Sequence, residues 1–155
     1  MNTNTKQQPL VTIGIATYNR AEKYLSQALK SAVNQTYQNI EIIVSDNCST
    51  DNTEQLVKGF NASNIRYFRQ KKNITANENF NYCLNQAKGE YFLLLHDDDL
   101  IDNDFVEVCI KADQYPSDIG IIRTGMRGRK RTCPGHNIEV RMGAHGELDQ
   151  IRGRL

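Results

Sequence analysis

The segment that most restricts the fold is Tyr91-Phe92-Leu93-Leu94-Leu95-His96-Asp97-Asp98-Asp99-Leu100, an apolar run that stops abruptly in three consecutive carboxylates. Large apolar residues bounded by charge predict a strand buried on both faces, as in the middle of a parallel sheet. Adjacent aspartates repel one another, so a fold that gathers them at a strand end calls for a compensating cation. Oxygen-only donors suit a hard divalent ion such as Mg²⁺ or Mn²⁺, which commonly also holds a substrate phosphate. A solvated acidic turn is the competing reading. The remainder of the chain has to decide between them.

Upstream, strand and helix patterns alternate, which predicts an α/β protein with three layers (α/β/α) and a mostly parallel sheet. Leu10 to Ala16 reads as the first strand and Ile40 to Ser45 as the second, both rich in β-branched residues. Between them, Leu25, Ala28, Leu29, Ala32 and Val33 recur at helical spacing from Ala21 to about Asn34. A second helix is expected near Asp51, with Asp51 and Glu54 spaced as a capping pair. Ile65 to Phe68 predicts a short third strand. Thr75 and Glu78 then form a capping-box pattern ahead of Phe80, Cys83, Leu84 and Ala87, and Gly89 follows where a C-terminal cap belongs. Glu90 to Leu95 is expected as the central strand, Asp104 to Asp113 as a helix ending before Pro116, and Ile119 to Arg123 as a fifth strand. After Thr124 the patterning lapses: residues 125–155 are glycine-containing and basic, with no helix or strand period.

Length bounds the problem, since 155 residues suffice for one domain with a real core. A net charge of +1 points to neither nucleic acid nor an anionic membrane, and the basic tail lacks the aromatic interleaving of a nucleic-acid arm. The polar stretch Met1 to Pro9 reads as a flexible N-terminus without a secretory apolar core. Cys48, Cys83, Cys109 and Cys133 are too dispersed for a metal site, and are expected as reduced thiols of a cytoplasmic protein. Peripheral attachment at the inner face of the membrane stays open.

Ligands of open parallel sheets bind beyond the carboxyl ends of the strands. Three polar clusters fall at such ends: Thr17-Tyr18-Asn19-Arg20, Asp46-Asn47-Cys48-Ser49-Thr50-Asp51 and His96-Asp97-Asp98-Asp99. Each is compatible with turn and cap chemistry, and Asn19, Ser49 and Asp51 are candidate helix caps. Converging on one rim, they would hold a base, a ribose and a metal-bound diphosphate.

The strings VTIGIATYNR, IEIIVSDNCSTDNT and AKGEYFLLLHDDDLIDNDF, in this order and spacing, resemble the donor-nucleotide part of family 2 glycosyltransferases with the GT-A fold. The likeness covers roughly Leu10 to Thr124, a donor-binding domain over residues 10–124. It implies inverting transfer of a sugar from a nucleoside diphosphate sugar to a saccharide or lipid-linked acceptor, assisted by Mg²⁺ or Mn²⁺. Cell-surface polysaccharide synthesis is the family's implied setting. By position it implies that Thr17, Tyr18 and Asn19 form the first nucleotide-binding segment and that Asp46 and Asn47 address the base. Asn81 belongs to the helix closing over the donor, with Lys71 or Lys72 at its entrance. The family's Asp-x-Asp motif falls on His96 and Asp98 by the following segment, or on Asp97 and Asp99 read literally. It implies Asp98 as metal ligand, Asp99 as its support and Asp97 as a contact either to the ribose or to the groups that ligate the metal. Ala16 stands where a proline is common. Asn47 stands where a carboxylate is common, and an amide, able to donate or accept, leaves the base open.

An inverting transfer needs a base for the acceptor proton. The resemblance puts that base well downstream of the aspartates, in the acceptor half; Glu139, Glu147 and Asp149 are available carboxylates there, in unpatterned sequence. The catalytic base is therefore unassigned, and the chain is expected to be truncated, with apolar surface that favours self-association into a homo-oligomer. Two other readings remain. A sugar nucleotidyltransferase would carry a glycine- and lysine-rich loop after its first strand, where this chain has Thr17-Tyr18-Asn19-Arg20. A non-catalytic nucleotide-binding or assembly module would associate through the edge exposed by the missing half.

Overall fold

Runs of β-branched residues prefer extended backbone, and burial on both faces favours parallel pairing. The computed structural model describes residues 8–112 and, as backbone, the strands at 121–124 and 138–141. Strands β1 (Val11–Thr17), β2 (Ile40–Asp46), β3 (Ile65–Arg69) and β4 (Tyr91–Leu94) form one sheet in the order β3-β2-β1-β4. All three pairings are parallel. Register places Thr17 beside Asp46 and Asp46 beside Arg69, so the carboxyl ends line one rim.

Helices cover both faces, as the alternation predicts. A π-helical turn, Ala21–Leu25, runs directly into α1 (Ser26–Val33). With α2 (Thr53–Gly59) and α4 (Phe105–Ala112), these residues pack on Val11, Ile13, Ile15, Ile42, Val44 and Leu93. The predicted stripe is the one buried: Leu25, Ala28 and Leu29 are fully inaccessible. Each buried large aliphatic side chain contributes about 2 kcal/mol. On the opposite face α3 (Ala76–Gln86) sets Cys83 against Ala16 and Ile43. Cys83 and Cys109 are buried, and burial pushes their thiols up to about 12 and about 11. Cys48 is half-buried and Cys133 lies outside the described residues.

The Thr75–Glu78 capping box forms as read from sequence. The Gly89 cap does not. Helix α3 ends in extended backbone at Ala87, and no described glycine has positive φ. Gly89 instead lies against β1, where an added Cβ would stand 2.7 Å from Leu10 O and Thr12 N. The Asp51–Glu54 capping pair also fails. Glu54 turns to Lys58, while Asp51 Oδ1 accepts from Thr53 N at 3.1 Å.

Strand β4, expected in the centre, is the end member of the four-stranded sheet and only half-buried at Tyr91, Phe92 and Leu94. The expected fifth strand appears as β5 (Ile121–Thr124), paired antiparallel with β6 (Ile138–Arg141). Strand β6 falls where no strand was expected, because its short Ile138-Glu139-Val140-Arg141 alternation is flanked by glycine-containing polar sequence. The N-terminus to residue 7 and the rest of 125–155 lie outside the described residues.

Gly14 of β1 is approached closely by side chains of both β4 and α3. An added Cβ would lie 2.7 Å from the Phe92 ring and 2.9 Å from Cys83 Cβ. Gly14→Val is expected to lower unfolding free energy by about 2 kcal/mol through overpacking, read as a lower urea midpoint at unchanged slope.

Candidate functional site

Polar residues at a buried strand end must find partners, and here they find one another. Thr17 Oγ1 donates to Asp97 Oδ2 at 2.8 Å, joining the ends of β1 and β4 across 80 residues of sequence. Asn47 N donates to Thr17 O at 2.9 Å and ties in the end of β2. All three predicted clusters therefore meet at one rim.

The first cluster makes a tight bend in which Asn19 takes φ 53°, a left-handed conformation that asparagine tolerates. Its N–H donates to Ser49 Oγ at 2.9 Å, and its Oδ1 accepts from Thr50 N at 2.8 Å. Asn19 thus joins two loops rather than capping the following helix. That cap comes from Asp51, whose Oδ2 accepts from Ala21 N at 3.1 Å. Burial disfavours the Asp51 charge, but bonds from Thr53 and Ala21 outweigh it and hold the carboxyl below its usual range. Tyr18 is 45 % exposed, presenting an open ring at the rim.

Asp46 is buried, with both carboxylate oxygens already bonded inside the protein. Oδ1 accepts from Ser49 N at 2.8 Å and Oδ2 from Tyr67 OH at 2.5 Å. Arg69 Nε stands 3.7 Å from Oδ2, and the same guanidinium donates to Ser49 O at 2.8 Å. Burial and Asp46 together drive the Tyr67 phenol well above its usual range. Asn47 is also buried, its amide occupied by the backbone of Ile74. Asn81 is exposed on α3 and makes no side-chain hydrogen bond among the described residues. The asparagine that α3 turns to the sheet is Asn79, which accepts from Ser45 Oγ at 2.6 Å and donates to Ser45 O at 3.0 Å.

At the end of β4 a turn closes with Asp99 N donating to His96 O at 3.1 Å. Asp97 and Asp99 are half-buried; Asp98 is exposed and has no hydrogen-bond partner among the described residues. Burial pushes the Asp97 carboxyl above its usual range, and the Asp98 charge adds to this, while Thr17 and Arg20 oppose it. His96 is exposed, edge-on to Phe80 with ring centres 5.4 Å apart.

No three His, Cys, Asp or Glu side chains among the described residues converge to hold a metal by themselves. The donor set nevertheless fits a hard divalent cation, because Asp98 offers free oxygens beside a second, mutually repelling carboxylate. Such ions usually take one or two carboxylates and fill the rest of their shell with water and phosphate oxygens. Of the carboxylates considered as a base, Glu147 and Asp149 lie outside the described residues, and Glu139 is described as backbone only.

Tyr67, Arg69, Asn79 and the Ile74 backbone were not singled out from sequence. Their partners lie 20 to 34 residues away, a separation that carries no local signal.

The family model described as Glycosyl transferase family 2 matches residues 12–148. Over 100 residues the chain is 44% identical to an uncharacterized glycosyltransferase of Rickettsia typhi, a match covering 64% of this chain and 30% of that protein. It is 32% identical over 117 residues to chondroitin synthase of Escherichia coli, covering 75% of this chain and 17% of the other. The structure of S. aureus TarS 1-349 in complex with UDP superposes with a TM-score of 0.72 at 29% identity, over 81% of this chain and 38% of that one. The chain therefore spans only 17% to 38% of the length of these relatives.

Proposed function

This chain belongs to glycosyl transferase family 2, and on that premise we propose that it binds a nucleoside diphosphate sugar at the rim formed by β1, β2 and β4. The observation that carries this reading is the Thr17–Asp97 bond, which brings the nucleotide segment of β1 onto the acidic end of β4. Tyr18 offers an exposed face for the base, and Asp97 an acceptor for ribose hydroxyls. Asp98, supported by Asp99, would hold Mg²⁺ or Mn²⁺. Bound there, the ion supplies Lewis-acid stabilisation of the negative charge that grows on the departing diphosphate. The likeness to TarS, solved in complex with UDP, supports a nucleoside diphosphate as the class of ligand.

In this reading the sugar is transferred with inversion to a saccharide or lipid-linked acceptor, in the cytoplasm or at the inner face of the membrane. The likeness to chondroitin synthase supports a polysaccharide as the product class. Its relatives carry further length in which an acceptor side and its base would sit. Donor binding is the activity proposed for these 155 residues.

Calorimetric titration with UDP, CDP, dTDP and GDP, each with and without Mn²⁺, tests the proposal. Tight binding of at least one diphosphate that requires the metal is expected. Absence of binding by all four would leave the assembly-module reading standing instead.

A further inference from the structure

Asn47 combines burial with an unusual use of its amide. Nδ2 donates to Ile74 O at 2.8 Å, and Ile74 N donates to Oδ1 at 2.8 Å. One side chain thus pairs with both backbone groups of a single residue as a second strand would, satisfying a loop donor and a loop acceptor together. Asn73 Nδ2 adds a bond to Asn47 O at 3.2 Å, and Asn47 N is already given to Thr17 O. The loop held in this way, residues 70–74, leaves the rim end of β3 and leads to α3. Its other anchor is Gln70, whose N–H donates to Asp46 O at 2.8 Å and whose Nε2 donates to Ser45 Oγ at 3.0 Å. Between the anchors, Lys71 and Lys72 are exposed.

We propose that Asn47 is a positioning residue that clamps the 70–74 loop, and with it Lys71 and Lys72, at the mouth of the donor site, leaving the nucleotide base to be selected by other groups. The proposal rests on the donor-site reading for its functional consequence and on the Asn47–Ile74 geometry for its structural content. The pairing requires an amide. A carboxylate can still accept from Ile74 N, but it turns a second oxygen towards Ile74 O, and the two repel. A protonated carboxylic acid, with one donor and one acceptor, restores the match.

Hydrogen exchange on the full chain reads the clamp directly. In Asn47→Ala and in Asn47→Asp at pH 7, amides of residues 72–76 are expected to exchange about tenfold faster than in the parent, after correction for intrinsic rates. Amides of β1 and β2 should be unchanged. In Asn47→Asp, lowering the pH from about 7 to 5 is expected to recover much of the protection, because burial raises the pH at which a carboxyl takes up its proton. A merely space-filling role would show no such recovery. Titration with UDP and CDP in Mn²⁺ should find both affinities reduced by the same factor in Asn47→Ala. Retained loop protection in either variant, or a several-fold change in the UDP to CDP ratio, would overturn the proposal. If the parent chain binds no nucleotide, the donor-site reading falls, while the exchange data still judge the clamp by themselves.

Discussion

Asp98→Ala is expected to weaken Mn²⁺-dependent binding of the preferred nucleoside diphosphate by roughly 100-fold or more, with almost no change in fold stability. Asp98 is exposed and lacks a hydrogen-bond partner among the described residues, so its removal breaks nothing that holds the rim together. Exposed substitutions of that kind usually shift unfolding free energy by no more than about 0.5 kcal/mol. Its carboxylate is the freest oxygen donor in the acidic turn, and losing it leaves any cation there with too few protein ligands. Binding measured without Mn²⁺ should differ little between the two proteins. Asp97→Ala gives the contrast: it also removes the acceptor of the Thr17 hydroxyl, so it should perturb β1 against β4 as well. Parent-like, metal-dependent affinity in Asp98→Ala would show that the ion is held elsewhere.

Glu41→Ala is expected to lower unfolding free energy by about 3 kcal/mol while sparing the donor rim. Glu41 lies beside Thr12, near the start of β2 and far from the strand end that carries Asp46. Its Oε1 accepts from Thr12 Oγ1 at 2.7 Å and from Lys88 N at 2.6 Å, and its Oε2 from Arg66 Nη1 at 3.0 Å. One buried carboxylate therefore joins β1, β2, β3 and the α3–β4 connection. Truncation takes this acceptor from Thr12 Oγ1 and Lys88 N and removes the carboxylate paired with Arg66, which keeps only its bond to Gln86 O at 2.9 Å. Urea denaturation with intact nucleotide affinity per folded molecule would check both halves of this expectation.

The same cluster carries a pH signature. Burial disfavours the Glu41 charge, but the bonds from Thr12, Lys88 and Arg66 outweigh it, and the carboxyl lies below its usual 4.5. A carboxyl depressed on folding contributes stability above its unfolded value, and that contribution is lost as pH falls through the folded value. Glu41→Gln should therefore flatten the loss of stability below about pH 4.5 relative to the parent. An unchanged acid limb would show that other carboxylates dominate there.

Several features were legible because their cause is local. The β1 and β2 runs, the Leu25–Leu29 stripe and the Thr75–Glu78 box each depend on residues within a turn or two of one another. The three polar clusters could be assigned to a common rim because a parallel sheet puts every strand's carboxyl end on the same side. Gly89 was misread for the opposite reason. Its requirement is the Leu10–Thr12 backbone lying against it, which no neighbouring residue announces. Asp51 likewise has the right chemistry for a cap, but the helix turn it caps begins 30 residues earlier.

The amino-acid order alone determined an alternating parallel architecture and an acidic, oxygen-rich strand end, since periodicity and composition act over the span of a single element. Only tertiary packing decided which polar side chains remain free. It spends Asp46 on Tyr67 and Ser49, Asn47 on Ile74 and Asn19 on Thr50, and it leaves Tyr18 and Asp98 open to a ligand. Hydrogen-bond partners tens of residues apart are chosen by sheet register and loop path, and those exist only once the strands have paired.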